Sequence, residues 1–146
     1  MSTARWLLVV MVLVATCGAN AGPSPDPSHP DLAGTAWRAI SVAGRPAPAA
    51  SGPTIAFKKD QATGSGGCNH FGGGYTYERA TGRIGFQMLG MTAMACAEAA
   101  RMDVETAFIQ ILGAATTAAV DEQGRLGISA PTGLIVFVRD AAAASS

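Results

Sequence analysis

GSGGCNHFGGGY, residues 64–75, holds six glycines in the eleven positions from Gly64 to Gly74, with Cys68, Asn69 and His70 at its middle. Glycine at this density marks backbone that turns through positive φ or lies close against another segment. A phosphate cradle of the P-loop kind needs Lys and then Ser or Thr after its last glycine, and here Gly73 and Gly74 stand in their place. A dinucleotide fingerprint needs a helix directly after the glycines, whereas Tyr75-Thr76-Tyr77 has strand character. The stretch therefore predicts a tight turn that wedges Cys68 and Phe71 into the core of a β fold.

On both sides lie short apolar or alternating runs at 36–41, 54–58, 74–78, 83–86, 118–120, 126–129 and 133–139, each bounded by Gly, Pro, Asp or Ser. Asp121-Glu122-Gln123-Gly124 and Ala80-Thr81-Gly82 read as hairpin reversals. One stretch has helical period: Val104, Phe108, Ile111 and Leu112 recur on one face opposite Asp103, Glu105 and Gln110, which predicts a helix over 98–112 with Gly113 as terminator. Seven short strands with one inserted helix, at spacings too short for crossovers, make an α+β, mainly β fold. The expected form is a curved antiparallel sheet or small barrel-like sheet with one helix packed on it.

The chain of 146 residues is enough for one domain. Ten Lys and Arg balance ten Asp and Glu, and charged residues are 14% of the total, so no field draws in a polyanion and nucleic acid is not an expected partner. A hydrophobic fraction of 49% excludes disorder of the whole chain.

Residues 1–21 read as a signal peptide. WLLVVMVLVA, residues 6–15, is an apolar run of ten behind Arg5, about half of what a bilayer crossing needs. Cleavage after Ala21 and a lipobox at Cys17, weakened by Thr16, are the two processing routes. A lipidated Cys17 is the only membrane attachment the sequence offers. Prolines at 23, 25, 27 and 30 make 22–31 a stiff linker, the domain follows over 32–139, and 140–146 is an unpatterned tail expected to be disordered. Either route leaves Cys68 and Cys96 as the remaining cysteines. In an oxidising compartment they form a disulfide, with two buried free thiols as the other outcome. Such a bridge constrains the unfolded chain by roughly 3 to 4 kcal/mol in the chain-entropy model.

Met88, Met91 and Met94 recur every third residue before Cys96. The preferred reading is flexible side chains filling gaps in the core. The alternative is a copper(I) site of Met88, Met91, Met94 and His70, since soft sulfur ligands select that ion. His70 is the one imidazole inside the folded unit, so a hydrolase would have to use it. Asp60, Glu78, Glu98, Asp103 and Glu105 lie in no apolar context, and the last three read as a solvated helix face. Lys58, Lys59 and Arg139 read as surface charges.

Gly34-Thr35-Ala36-Trp37, Pro53-Thr54-Ile55-Ala56-Phe57, the turn from Gly67 through Asn69, Phe71 and Gly72 to Tyr75, Met91-Thr92-Ala93-Met94-Ala95-Cys96, Glu105 with Phe108 and Leu112, and Leu134-Ile135-Val136-Phe137 with Arg139 occur in one order. In this the sequence resembles the META/HslJ-like domain family of bacterial envelope proteins over essentially all of 32–139. The resemblance implies a small antiparallel β fold with one helix across it, often on exported or lipid-anchored proteins linked to heat or envelope stress. It implies no enzyme and no cofactor, so Gly67, Asn69, Phe71, Gly72, Tyr75, Thr92 and Met94 are expected to be architectural. Asn69 is expected to cap the glycine turn, and Trp37, Phe57, Phe108 and Phe137 to fill the core. Gly113 to Ala119 is less strand-like than the family pattern. The expected role is non-enzymatic stress tolerance through an envelope protein or a small ligand, neither of which the sequence identifies.

Overall fold

The computed structural model describes residues 26–94, 96 and 98–141. The expected signal peptide, the lipobox at Cys17 and the end of the tail lie outside the described residues. Nine strands and one helix follow in chain order: β1 Thr35–Val42, β2 Arg45–Pro46, β3 Thr54–Phe57, β4 Gln61–Ser65, β5 His70–Glu78, β6 Arg83–Met91, α1 Ala99–Gly113, β7 Thr117–Val120, β8 Leu126–Ala130 and β9 Gly133–Arg139. Each strand from β3 to β9 pairs antiparallel with the next, and β9 returns to β1, which pairs with β3, closing an eight-stranded barrel-like sheet. β2 hangs on β1 alone, through Ser41↔Pro46 and Val42↔Arg45. The mainly β fold with one helix packed on a barrel-like sheet is thus the one the strand pattern predicts.

Two strands, β2 and β4, lie outside that pattern, and β5 starts earlier than its run at 74–78. β4, Gln-Ala-Thr-Gly-Ser, presents only Ala62 and Gly64 to the inside, so hydrophobic alternation gives no signal for it. The glycine-rich stretch is a turn only over 66–69; from His70 it is already β5. There Gly73 sits opposite a bulge in β6, where Met88 takes φ 46°. A Cβ on Gly73 would lie 2.6 Å from the Gln87 carbonyl oxygen, so the strand can pass the bulge only without a side chain.

β6 and β7 share one paired position, Arg83↔Thr117, and the chain between them is α1. The helix packs against β6, β8 and β9, with Phe108, Ile111 and Leu112 all buried. Phe108 meets Phe71 at 5.6 Å and Phe137 at 6.1 Å between ring centroids, joining helix to barrel. A second aromatic group, Phe57, Tyr75 and Phe86, fills the far side. Trp37, Phe57, Phe108 and Phe137 are all essentially inaccessible. The Trp37 indole N–H donates to Thr35 Oγ1 at 2.7 Å, and Arg139 lies over its ring at 4.4 Å.

Two local expectations need correcting, and one is met. The helix ends one residue later than its pattern suggests, with Gly113 inside it and Ala114 as the cap. Ala-rich 117–120 forms a strand, as the run at 118–120 predicts, with Ala118 buried. The described part of the proline-rich stretch is packed on the barrel. The Ser28 carbonyl accepts the Val120 N–H at 2.7 Å, and that of His29 accepts Arg79 Nε at 3.2 Å. Prolines remove donors but leave carbonyls free to accept.

Candidate functional site

The turn Ser65-Gly66-Gly67-Cys68-Asn69 closes on itself through the Gly66 N–H, which donates to the Asn69 carbonyl at 2.8 Å. Gly67 takes φ +117°, a conformation L side chains avoid. This geometry turns the N–H groups of Cys68 and Asn69 toward α1, where they donate to Glu105 Oε2 at 3.0 and 2.6 Å. Asn69 Nδ2 donates to Glu105 Oε1 at 2.6 Å. The carboxylate is therefore seated in a backbone nest of the kind that binds anions, filled from within the same chain. Its approach requires Gly66 to lack a side chain, since a Cβ there would lie 2.6 Å from Glu105 Cγ.

Asn69 does not cap its own turn, as its sequence position suggests. Its side chain reaches instead to the segment after β6: Oδ1 accepts the Met94 N–H at 2.6 Å and the Thr92 hydroxyl at 3.1 Å, while Nδ2 also donates to the Met94 carbonyl at 3.2 Å. The amide thus uses two acceptor and two donor positions, its full capacity. Thr92 Oγ1 accepts the His70 N–H at 3.0 Å. A disulfide joins Cys68 to Cys96 across the same two segments, with the Cα atoms 5.8 Å apart. Tyr75, also in the glycine-rich stretch, donates its hydroxyl to the Lys58 carbonyl at 2.8 Å and packs edge-on against Phe57.

Glu105 is 5% exposed, so it is not part of a solvated helix face. Burial pushes its carboxyl pKa up, but the hydrogen bonds from the Asn69 side chain and from the Asn69 and Cys68 N–H groups outweigh this and hold it below the ordinary 4.5. A carboxylate so held stays ionised at neutral pH and cannot serve as a proton donor there. Helical period alone placed Glu105 opposite the apolar residues. The signal that could have found it is its position three residues before Phe108, on the same helix face.

The methionines do not fill core gaps. Met88 is 94% exposed, Met91 44%, Met94 54% and Met102 47%. Nor does the sheet gather the sulfur and imidazole groups of the copper(I) alternative on one face. Met91 stands directly opposite buried Phe71 and so shares its inward side, whereas His70 neighbours Phe71 and points outward, as strand alternation requires. His70 lines an open trough of about 420 Å³ with Thr54, Ala56, Lys58, Thr63 and Ser65. Among the described residues no three His, Cys, Asp or Glu side chains are placed to share a metal ion.

The family model described as META domain matches residues 30–142. Three solved structures share the fold. A protein from Burkholderia xenovorans, determined by NMR, superposes with a TM-score of 0.63 at 23% identity, covering 88% of this chain and 99% of its own. A second NMR structure gives 0.59 at 24% identity, with 73% and 90% covered. A DUF4847 family protein from Bacteroides vulgatus gives 0.52 at 16% identity, with 75% and 94% covered. No curated protein is a significant match.

Proposed function

Since the chain belongs to the META domain family, we propose that it is a non-catalytic binding domain of the bacterial cell envelope. In this reading it is exported on its N-terminal apolar segment and supports heat or envelope stress tolerance through protein or small-ligand contacts. The observation that carries the reading is the contrast between its two unusual residue sets. The buried carboxylate of Glu105 accepts three hydrogen bonds from the glycine turn and serves the architecture. Met88, Met91, Met94 and Met102 are all exposed, between 44% and 94%, along one stretch of chain, and flexible, polarizable side chains of this kind adapt to apolar partners.

The test is complementation of a deletion strain under heat and envelope stress. Wild type should restore growth. The double variant Met88→Glu/Met94→Glu, folded by circular dichroism, should not. Full restoration by that variant, or a deletion strain without a growth defect, contradicts the reading. Export is tested separately by the mass of the N-terminal peptide. A start at Gly22 or an acylated Cys17 supports it, and an intact Met1 peptide in every fraction contradicts it.

A further inference from the structure

The two cysteines lie on segments that other residues already hold together. Asn69 follows Cys68 directly, and its amide grips Met94, two residues before Cys96, at both the N–H and the carbonyl. Thr92 adds a third hold on the same side chain. Glu105 fixes the other partner, accepting the N–H of Cys68 itself. Because Glu105 belongs to α1, which begins at Ala99, the Cys96 segment is anchored upstream through Met94 and downstream through the helix. None of these hydrogen bonds uses a cysteine sulfur.

We propose that Asn69 and Glu105 are positioning residues for disulfide closure: the reduced domain folds first, and their network presents the Cys68 and Cys96 thiols to one another. In an unfolded chain, joining residues 28 apart costs loop-closure entropy. In the folded, reduced domain that entropy has already been lost in forming the network, so the thiols meet at a raised effective concentration. With a small disulfide such as oxidised glutathione as oxidant, one cysteine thiolate attacks it, forming a mixed disulfide and releasing one glutathione thiolate. The second cysteine loses its proton to solvent and attacks the mixed disulfide, releasing the second glutathione. Two electrons pass to glutathione and one protein S–S bond forms. Thermodynamic reciprocity requires that whatever factor the network adds to closure, the closed disulfide returns to the network.

The experiment is equilibration of the full chain, carrying Cys17→Ser so that one pair remains, in buffers of reduced and oxidised glutathione. The oxidised fraction is read by mass after acid quench and alkylation. Asn69→Ala should lower the effective concentration of the pair about tenfold or more, the scale of losing a hydrogen bond to a charged group. Thr92→Val, which removes one hold on Asn69 and the acceptor of the His70 N–H, should give a smaller fall and covers the case in which reduced Asn69→Ala does not fold. Ile128→Ala, buried in β8 and outside these hydrogen bonds, should stay within about twofold of the parent while its reduced form is folded. Asn69→Ala and Thr92→Val both within twofold of the parent, or Ile128→Ala falling as far as Asn69→Ala, would overturn the proposal.

Discussion

Replacing Glu105 by Gln changes no volume and removes one charge, which isolates what the carboxylate does. Oε2 receives the Cys68 and Asn69 N–H groups and Oε1 receives Asn69 Nδ2. A glutamine can keep the two backbone bonds with its carbonyl, in weaker neutral form, but its NH2 then faces the Asn69 NH2, donor against donor. Rotating the Asn69 amide only moves the clash, because Nδ2 would then confront the Met94 N–H. One lost charged hydrogen bond and two weakened ones sum to about 2 to 4 kcal/mol. At a urea m-value of about 2 kcal/mol/M, the midpoint should fall by about 1 to 2 M with m unchanged, the disulfide intact and the pH at 7. The difference should also depend on pH. The folded-state pKa of Glu105 lies below its ordinary 4.5. Its ionised form therefore contributes stability that is fully present above that value and is lost as pH falls through the folded-state pKa. The gap between wild type and Glu105→Gln should accordingly narrow in acid. A variant within about 0.5 kcal/mol of wild type at pH 7, or a gap that widens in acid, would refute the reasoning.

Gly66→Ala should cost about 1 to 3 kcal/mol by urea unfolding, because its Cβ would press on the Glu105 side chain. The cost should largely disappear in a Glu105→Ala background. Hydrogen peroxide should convert Met88, Met91, Met94 and Met102 to sulfoxides while near-UV circular dichroism and the unfolding midpoint stay within about 0.5 kcal/mol of native, since none of the four is buried. Loss of cooperative unfolding on oxidation would show that at least one of them supports the core.

The barrel was legible where burial follows a period. β9 reads true from Gly133 to Arg139 because Ile135 and Phe137 alternate inward. β4 was not legible, because its inner residues are Ala62 and Gly64 and the bulk that covers them comes from elsewhere. Gly72 and Gly73 look like loop locally yet lie in a strand, and it is Gly73 that faces the β6 bulge, where a Cβ would lie 2.6 Å from the Gln87 carbonyl oxygen. Glu105 and Asn69 were the deepest gap. The spacing of three before Phe108 puts Glu105 on the buried helix face, but its partner, a backbone turn 36 residues away, is set by tertiary contact, and a pattern that ranks charge as exposed passes over it. The methionines erred the other way. Their apolar character suggests burial, yet Met88 on the β6 bulge and Met94 after β6 are mostly exposed, and Met91 at the end of β6 and Met102 on α1 remain partly so.

The account rests on Asn69 and Glu105 acting as one unit, and a double-mutant cycle measures that directly. Asn69→Ala, Glu105→Ala and the pair should be unfolded in urea at pH 7 with the disulfide closed. The predicted coupling energy is about 1.5 to 3 kcal/mol, the worth of the hydrogen bond from Nδ2 to the ionised Oε1. Additivity of the two single substitutions to within about 0.5 kcal/mol would contradict it.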